Sequence, residues 1–460
     1  MADGKPGVTD PESGTAPALA ATVGLPAPLP SLDTPFAQGN PTDVVVTVRN
    51  QGRGRLDTCS VALLAPSGWT VHREGGAPKT LRAGDSADVR FTVTPARDAT
   101  AGQLVVAAHA DGDGLLRIAD ARARVKVAPA MSVALAGPAS SPGTDGTVLS
   151  PGRPVTVMAT VTNAGSTPLT GLAAALALPE GWTATAEGGA PTSVPARSSA
   201  TLAWDVVAAA TAARASGSLK ATVTAKLAGS TTEASASLTA KTGPVMTGHL
   251  LAEDFESVAP ALAAAVDLSR PGLLGWTPTA PEGWTVTNAP TMPQGTRELQ
   301  GWTFLSKQFW FPAGQDRSAF TRALGVVAVA DPDDWDDTGS PSGRGRFDST
   351  LSSPTVAIPS GTSTLHLAFD SHYRQESPQE AEVTVTFDTG DPVRLLHYSS
   401  ATSGNTNLGQ DQQNRLVRLS CPVPAGATSA RVGFRIFNAG NNWFWAIDNV
   451  RLGTAPIADA

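Results

Sequence analysis

What most restricts the fold of this chain is a segment that occurs twice, without a gap, at an offset of 113 residues (Asn50 to Asn163). Gly52 recurs as Gly165, Leu56 as Leu169 and Pro66 as Pro179. Gly68-Trp69-Thr70 recurs as Gly181-Trp182-Thr183, and Gly75-Gly76-Ala77-Pro78 as Gly188-Gly189-Ala190-Pro191. Matches in such a register mean one fold used twice. Residues 44–50 are rich in β-branched side chains and end at an Asn-x-Gly turn, whose residues tolerate positive φ. Further strand patterns at 60–64, 88–93 and 103–107 are separated by turn clusters such as Ala83-Gly84-Asp85, which is the spacing of a β-sandwich. Trp69 and Trp182 follow Pro-x-Gly. They are expected to fold back and cap one end of each sandwich; the other reading makes them exposed ligand platforms.

The second organising stretch lies near the C-terminus, at residues 441–452. Period 2 puts Trp443, Trp445, Ile447, Asn449 and Arg451 on one face, and Phe444, Ala446, Asp448, Val450 and Leu452 on the other. Asp448 thus stands in an apolar row, where a carboxylate is protonated, hydrogen-bonded or bound to a cation. As the closing strand it needs a partner from far upstream, and the best candidate opens with Asp254-Phe255-Glu256. Seven of the ten tryptophans and both tyrosines fall after residue 245. Strand patterns at 364–370, 382–388, 394–398, 414–420 and 430–437 suggest a jelly-roll sandwich. Short helices are conceivable only at 208–215 and 316–324.

The expected organisation is therefore all-β: a disordered leader over 1–40, one sandwich over 41–128, a second over 129–243 and a jelly roll over 245–455. Net charge is -7 with no Lys/Arg block, so nucleic acid and anionic membranes are unsuited partners. No run of 18 apolar residues occurs, so no membrane insertion is expected. Cys59 and Cys421 fall in different domains, and no Cys/His zinc spacing exists. The stretch from Met1 to Lys5 has no apolar signal region. The chain is then either cytosolic or a mature piece of an exported protein, and its domain content favours export to the extracellular side.

Chemistry concentrates in the acids. Asp331-Pro332-Asp333-Asp334-Trp335-Asp336-Asp337 packs five carboxylates into seven residues. Such a loop is either solvated or holds a hard cation, for which calcium is suited. Asp254 and Glu256 opening the domain and Asp448 on its apolar face strengthen the calcium reading. The expected core ligands are Asp254, Glu256 and Asp448, with Asp331 or Asp334 as further candidates. Trp276, Trp302 and Trp335 are candidates for stacking on sugar rings, or else core packing. Tyr373 and Arg374 form either a polar rim beside them or an internal pair for Glu376 or Glu380. His366 and His372 lie roughly 20 Å apart along one strand and cannot share a metal. GxSxG, HExxH, P-loop and dinucleotide patterns are missing, so no catalytic residue is assigned.

Two resemblances follow from these motifs. Val48-Arg49-Asn50-Gln51-Gly52, Pro66-Ser67-Gly68-Trp69 and Ala83-Gly84-Asp85, with their second copies, resemble the immunoglobulin-like module found beside α-galactosidase catalytic domains. Arg197 stands where the first copy has Gly84. The resemblance implies spacers or docking surfaces. Gly301-Trp302-Thr303-Phe304, Phe347-Asp348-Ser349-Thr350-Leu351, residues 369–376 and residues 441–448 resemble the C-terminal region of secreted actinobacterial hydrolases, notably calcineurin-like metallophosphoesterases. More loosely they are similar to MAM-like and galactose-binding-like sandwiches, whose end strands share a structural calcium. The phosphoesterase metal motifs are missing. The resemblances imply an accessory region that is not itself an enzyme and binds a polysaccharide or cell-surface glycan. The alternatives are a structural or protein-interaction spacer, and a hydrolase with an unrecognised C-terminal site.

Overall fold

The computed structural model describes residues 18–24, 35–137, 146–189, 191–269, 274–400 and 411–459. These residues are nearly all β and form three successive two-sheet sandwiches. No helix among them is long and apolar enough to cross a membrane.

The two copies of the repeat fold alike, strand for strand. In the first, one sheet runs Leu19–Gly24, Thr42–Asn50, Ser86–Thr94, Thr70–Glu74; in the second, the same order is Met131–Ala136, Pro154–Asn163, Ser199–Val207, Thr183–Ala186. The facing sheets run Phe36–Ala37, Leu115–Ala128, Ala101–Gly112, Leu56–Leu64, Thr80–Leu81 and Thr147–Leu149, Ser230–Thr242, Ser216–Leu227, Leu169–Ala177, Ser193–Val194. Alternation drives the packing: Val44, Val46 and Val48 turn inward from the first copy, and Val157, Ala159 and Val161 from the second.

Both copies are pinned at the Asn-x-Gly turn by a fully buried amide. The Asn50 side chain donates to the carbonyls of Gly54 (2.7 Å) and Leu81 (3.1 Å) and accepts from the Gly52 N–H (3.0 Å). Asn163 donates to Thr167 (2.9 Å), Val194 (3.1 Å) and Pro195 (2.9 Å) and accepts from Gly165 (2.9 Å). One side chain thus ties a strand end, its turn and a strand of the opposite sheet. Trp182 is 8 % exposed and Trp69 half-buried, 6.5 Å from the Phe36 ring. Both pack against a core rather than standing open as platforms.

The leader expected over 1–40 is corrected in part: Leu19–Gly24 pairs with Thr42–Asn50, and Phe36–Ala37 with the strand ending at Ala128. Residues 1–17 and 25–34 lie outside the described residues. The first two sandwiches interlock. Asn40, fully buried, donates to Thr167 Oγ1 (3.0 Å) and accepts from Ser166 N–H (3.2 Å) and Oγ (2.7 Å). Gly165 leaves room for it, since a Cβ there would come within 2.6 Å of the Asn40 amide nitrogen.

In the third sandwich, one sheet is ordered Ala263–Ala264, Leu274–Thr277, Thr303–Ser306, Val326–Ala330, Trp445–Gly453, Thr364–Tyr373, Gln412–Pro422. The opening strand Leu251–Glu253 also joins the closing strand Trp445–Gly453, pairing Leu251 with Leu452 and Glu253 with Val450. The facing sheet is Thr285–Asn288, Phe347–Ser352, Ser429–Ala439, Glu380–Phe387, Val393–Ser399, with Val356–Ala357 at its side. Trp302, Trp445, Phe369, Phe434 and Tyr373 fill the space between them, with Trp302–Trp445 at 5.6 Å and Phe369–Phe434 at 5.0 Å. All nine residues of the closing strand are buried, because both of its faces are covered. Its strict alternation breaks at Asn449, which has φ 54°, in a bulge against the strand Thr364–Tyr373. Neither short helix suggested at 208–215 or 316–324 forms as such; the first is turns, and within the second only Arg317–Ala319 is a 3-10 turn.

The buried asparagines give a direct expectation. Asn163→Ala strands one N–H and three carbonyls and should lower the stability of the second sandwich by about 2–4 kcal/mol. Denaturant unfolding checks this, and a loss under 0.5 kcal/mol would remove the asparagine from its role.

Candidate functional site

The acidic loop is a structural device. Pro332–Asp336 is a short helix whose N-cap, Asp331, accepts from the Asp334 N–H. Among the described residues, Asp331, Asp333 and Asp334 are the one group of three acids whose oxygens lie within 4.8 Å of one another. Their cation is already present. Arg317, fully buried, places Nη2 2.9 Å from Asp331, 3.2 Å from Asp333 and 3.0 Å from Asp334. Trp310 Nε1 donates to the same Asp331 oxygen (2.9 Å), and the Phe444 ring lies 5.0 Å from the guanidinium. Burial works against the Arg317 charge, but the three aspartates outweigh it and raise its pKa. Of the expected calcium ligation by Asp331 and Asp334 this much is corrected: a guanidinium lies against both carboxylates.

The aromatic platform is corrected too. Trp302 and Trp335 are 1 % and 0 % exposed, and Trp276 is 9 % exposed with its indole N–H on the Ala264 carbonyl (2.8 Å). Tyr373 is fully buried and stacks on Tyr398 at 4.6 Å, and burial raises its pKa. Arg374 lies over the half-buried Trp443 ring (4.5 Å) and donates to the Gln315 carbonyl (2.8 Å) and Asp411 (3.4 Å), rather than to Glu376 or Glu380. These side chains hold the sandwich together instead of facing a sugar.

The other acids do converge. Asp448 sits beside Asp370 in the pairing of their strands, and both are fully buried or nearly so. Asp448 accepts from the Leu324 N–H (3.0 Å) and the Asn449 N–H (2.7 Å). Glu256 accepts from the Val326 N–H (2.9 Å), and Gly325 between them has no Cβ to collide with that carboxylate. Asp254 accepts from the Glu256 N–H (3.3 Å) and from Ser150 Oγ of the second sandwich. Burial, with Asp370, Glu256 and Asp254 adding to it, pushes the Asp448 carboxyl well up, against the pull of the Leu324 amide. Burial and the adjacent Asp254 raise Glu253 to about 7. Leu324 and Val326 thus hold Asp448 and Glu256 at the base of the closing strand, while the opening strand stops at Glu253, so Asp254 and Glu256 follow it rather than lying on it as expected. Glu253 and Asp370 lie beside them, and period-2 reasoning missed both: Glu253 is one residue outside the Asp254-Phe255-Glu256 motif, and Asp370 meets Asp448 only through strand pairing.

Asp370 carries the joint to the second sandwich. Arg214, at φ 52° in the turn before Ser216–Leu227, donates to both Asp370 oxygens (3.0 and 2.7 Å) and to Asp459 (3.2 Å). Arg322 bonds Asp370 (2.6 Å) and Asp459 as well. A cleft of about 350 Å³ opens beside these arginines.

His372 is neutral by construction. Its Nδ1 accepts from the Asn414 N–H (3.1 Å), its Nε2 meets the Asp316 carbonyl (3.0 Å), and it stacks between Phe320 and Phe444, each at 5.4 Å. Burial lowers its pKa from 6.5 to about 4. A lowered pKa stabilises the neutral form, so its contribution is intact above about 6.5 and is lost as pH falls towards 4. The loss should reach about 3 kcal/mol. Glu253, shifted upward, acts oppositely between 4.5 and about 7. Denaturant midpoints of wild type and His372→Gln across pH 7 to 4 isolate the histidine: the variant should lack this acid-side loss, and parallel curves would contradict it.

No curated protein matches the chain at a significant level. Among solved structures, it is similar to the K1 cleaved adhesin domain of Lys-gingipain from Porphyromonas gingivalis W83, at 16% identity over 44% of this chain and 96% of that one, TM-score 0.27. It is similar to the C-terminal domain of the Streptococcus agalactiae AgI/II polypeptide BspA, at 12% identity over 48% and 99%, TM-score 0.21. It is also similar to the mannan-recognising carbohydrate-binding module TmCBM27, at 14% identity over 28% and 72%, TM-score 0.17. Likenesses at these TM-scores decide nothing about function. The firmer finding concerns the repeat: residues 36–112 and 149–227, one stretch in each of the first two sandwiches, match the NPCBM-associated, NEW3 domain of alpha-galactosidase.

Proposed function

We propose that this chain is a non-catalytic accessory region of an extracellular protein. It binds carbohydrate or another cell-surface polymer through its third domain, and the two repeated sandwiches act as spacers. The observation that carries this reading is the double NEW3 match, a domain type named for its association with a glycosidase. The strained or displaced titratable groups support it, because they serve structural ends. His372 is held by an amide and a carbonyl, and Arg317 pairs with three aspartates. The locks at Asn40 and Arg214 suit a spacer that keeps a binding domain at a fixed position. Pull-down of the full chain with a panel of insoluble polysaccharides and isolated cell walls tests it. Retention on at least one polymer is expected. Retention on none, with turnover of glycoside or phosphoester substrates, would replace it with the hydrolase reading; retention on none without turnover leaves a spacer.

We further propose that a calcium ion joins Asp254, Glu256 and Asp448. The donors fit a hard cation: three carboxylates and the Ser150 hydroxyl, around a buried Asp448 whose charge is otherwise unfavourable. Without an ion their oxygens are held by backbone amides, and calcium has to draw them inward. Binding only the folded state, it should add about 2.7 kcal/mol at a concentration 100 times Kd. Differential scanning calorimetry on chelator-treated chain should record an upward Tm shift with calcium that Asp448→Ala abolishes and Asp337→Ala keeps. An unchanged Tm would dismiss the ion.

A further inference from the structure

One end of each repeated sandwich is made of the Asn-x-Gly turn and the end of a long hairpin. In the first copy Asp57 pairs with Asp111, and Gly112 with Leu115 across the hairpin turn; in the second Thr170 pairs with Lys226, and Leu227 with Ser230. In the second copy this end is an interface. Ser166 and Thr167 of the turn take Asn40 of the first sandwich, and Ser230, Thr231 and Glu233 of the hairpin line a gap with its Gln38 and Arg97.

The matching end of the first copy has a different chemistry. Its turn keeps Asn50 and Gly52, but at the 113-residue offset Arg53 and Gly54 stand for Ser166 and Thr167, so both hydroxyls that grip Asn40 are gone. The closing pairs of the two hairpins put Leu115, Leu116 and Ile118 where the second copy has Ser230, Thr231 and Glu233. They are 59%, 57% and 72% exposed, three of the seven large apolar side chains that stand exposed among the described residues. Leu116 and Ile118 share one face of their strand, opposite Asp111 and His109. A polar plug finds no grip here, and an apolar cluster at a position built for contact calls for an apolar partner. Charge narrows the choice. Arg53 on the turn, and Asp111 and Asp113 on the hairpin, are all exposed beside the cluster. An apolar centre with both signs at its rim is complementary to itself. Turned about a twofold axis, it sets apolar against apolar and guanidinium against carboxylate.

We propose that this end of the first sandwich is a self-docking face, on which a second copy of this chain sits about a twofold axis. Leu115, Leu116 and Ile118 form the centre of the contact, and Arg53 of each copy meets the hairpin aspartates of the other. The inference stands apart from the polymer-binding reading. Joined at their first sandwiches, two chains leave both third sandwiches free, so any binding there to a repeating polymer becomes bivalent.

The test is sedimentation equilibrium of the full chain from about 1 to 300 μM, which spans the dissociation constants of weak dimers. Variants are Ile118→Glu, the triple change Leu115→Ser, Leu116→Thr and Ile118→Glu that copies the second sandwich, and Arg53→Asp. Met158→Glu, on the exposed face of the second sandwich, is the control, and each Tm is recorded to confirm folding. The mass of wild type and of the control should rise to twice that of the chain. Ile118→Glu should raise the dissociation constant at least about tenfold, since it buries a carboxylate among apolar groups. Arg53→Asp should raise it about threefold, as an exposed rim charge does. The triple variant should stay monomeric. A wild type that is monomeric throughout would overturn the proposal and leave the hairpin to a partner of another kind. A dimer kept by the triple variant would place the contact elsewhere and overturn it too. Masses beyond the dimer would mean head-to-tail stacking and overturn the twofold arrangement. An undiminished Arg53→Asp dimer would overturn the charge pairing on which the choice of partner rests.

Discussion

An ionised group buried without a partner is too costly for a fold to keep, and this protein is arranged around that cost. Asp370 and Asp448 lie side by side in the central sheet of the third sandwich, away from water. Asp370 is met by two arginines, and one of them, Arg214, belongs to a different sandwich. The neighbouring domain is therefore part of the solution to a charge problem in the third. Asp448 is met by backbone amides, which obliges the loop at Leu324 to wrap the base of the closing strand. That loop also places Lys307, through its bond to the Ala323 carbonyl, on the cleft. Core, domain joint and cleft follow from the need to compensate two carboxylates.

The repeated sandwiches meet a similar constraint with neutral groups. A turn that ends a buried strand leaves backbone carbonyls inside, and Asn50 and Asn163 satisfy them with one amide each. A hydrocarbon side chain of the same size would leave those carbonyls unpaired. The asparagine is thus fixed by the backbone, and this is why it survives in both copies while flanking side chains drift.

The repeat was legible because its signals are local: Asn-x-Gly turns, Pro-x-Gly-Trp corners and alternating strands are written in adjacent residues. The pairing of the end strands of the third sandwich could be inferred from one misplaced carboxylate, although the opening strand is Leu251–Glu253 and ends before Asp254. The partners of the acids were not legible. Arg317 lies 14 residues before Asp331, and Arg214 lies 156 before Asp370, at separations that carry no period. Trp302 and Trp335 looked like platforms because residue type gives a flat ring without its burial; Trp302 precedes the strand Thr303–Ser306, Trp335 lies on the helix Pro332–Asp336, and both are buried. The strand Leu19–Gly24 was hidden by its Ala-rich, Pro-flanked setting, where pairing with Thr42–Asn50 supplies what propensity does not.

The Asn40 joint has a geometric consequence. It is a plug and socket: a residue just before the strand Thr42–Asn50 of the first copy enters the turn after the matching strand, Pro154–Asn163, of the second. Donor and acceptor surfaces differ, so the contact does not close on itself as a twofold pair would. The Asn50–Gly54 turn of the first copy is built on the same pattern as the socket in the second. A joint of this type propagates length in one direction, so the spacing it sets is counted in whole modules, as in a ruler with one graduation per domain.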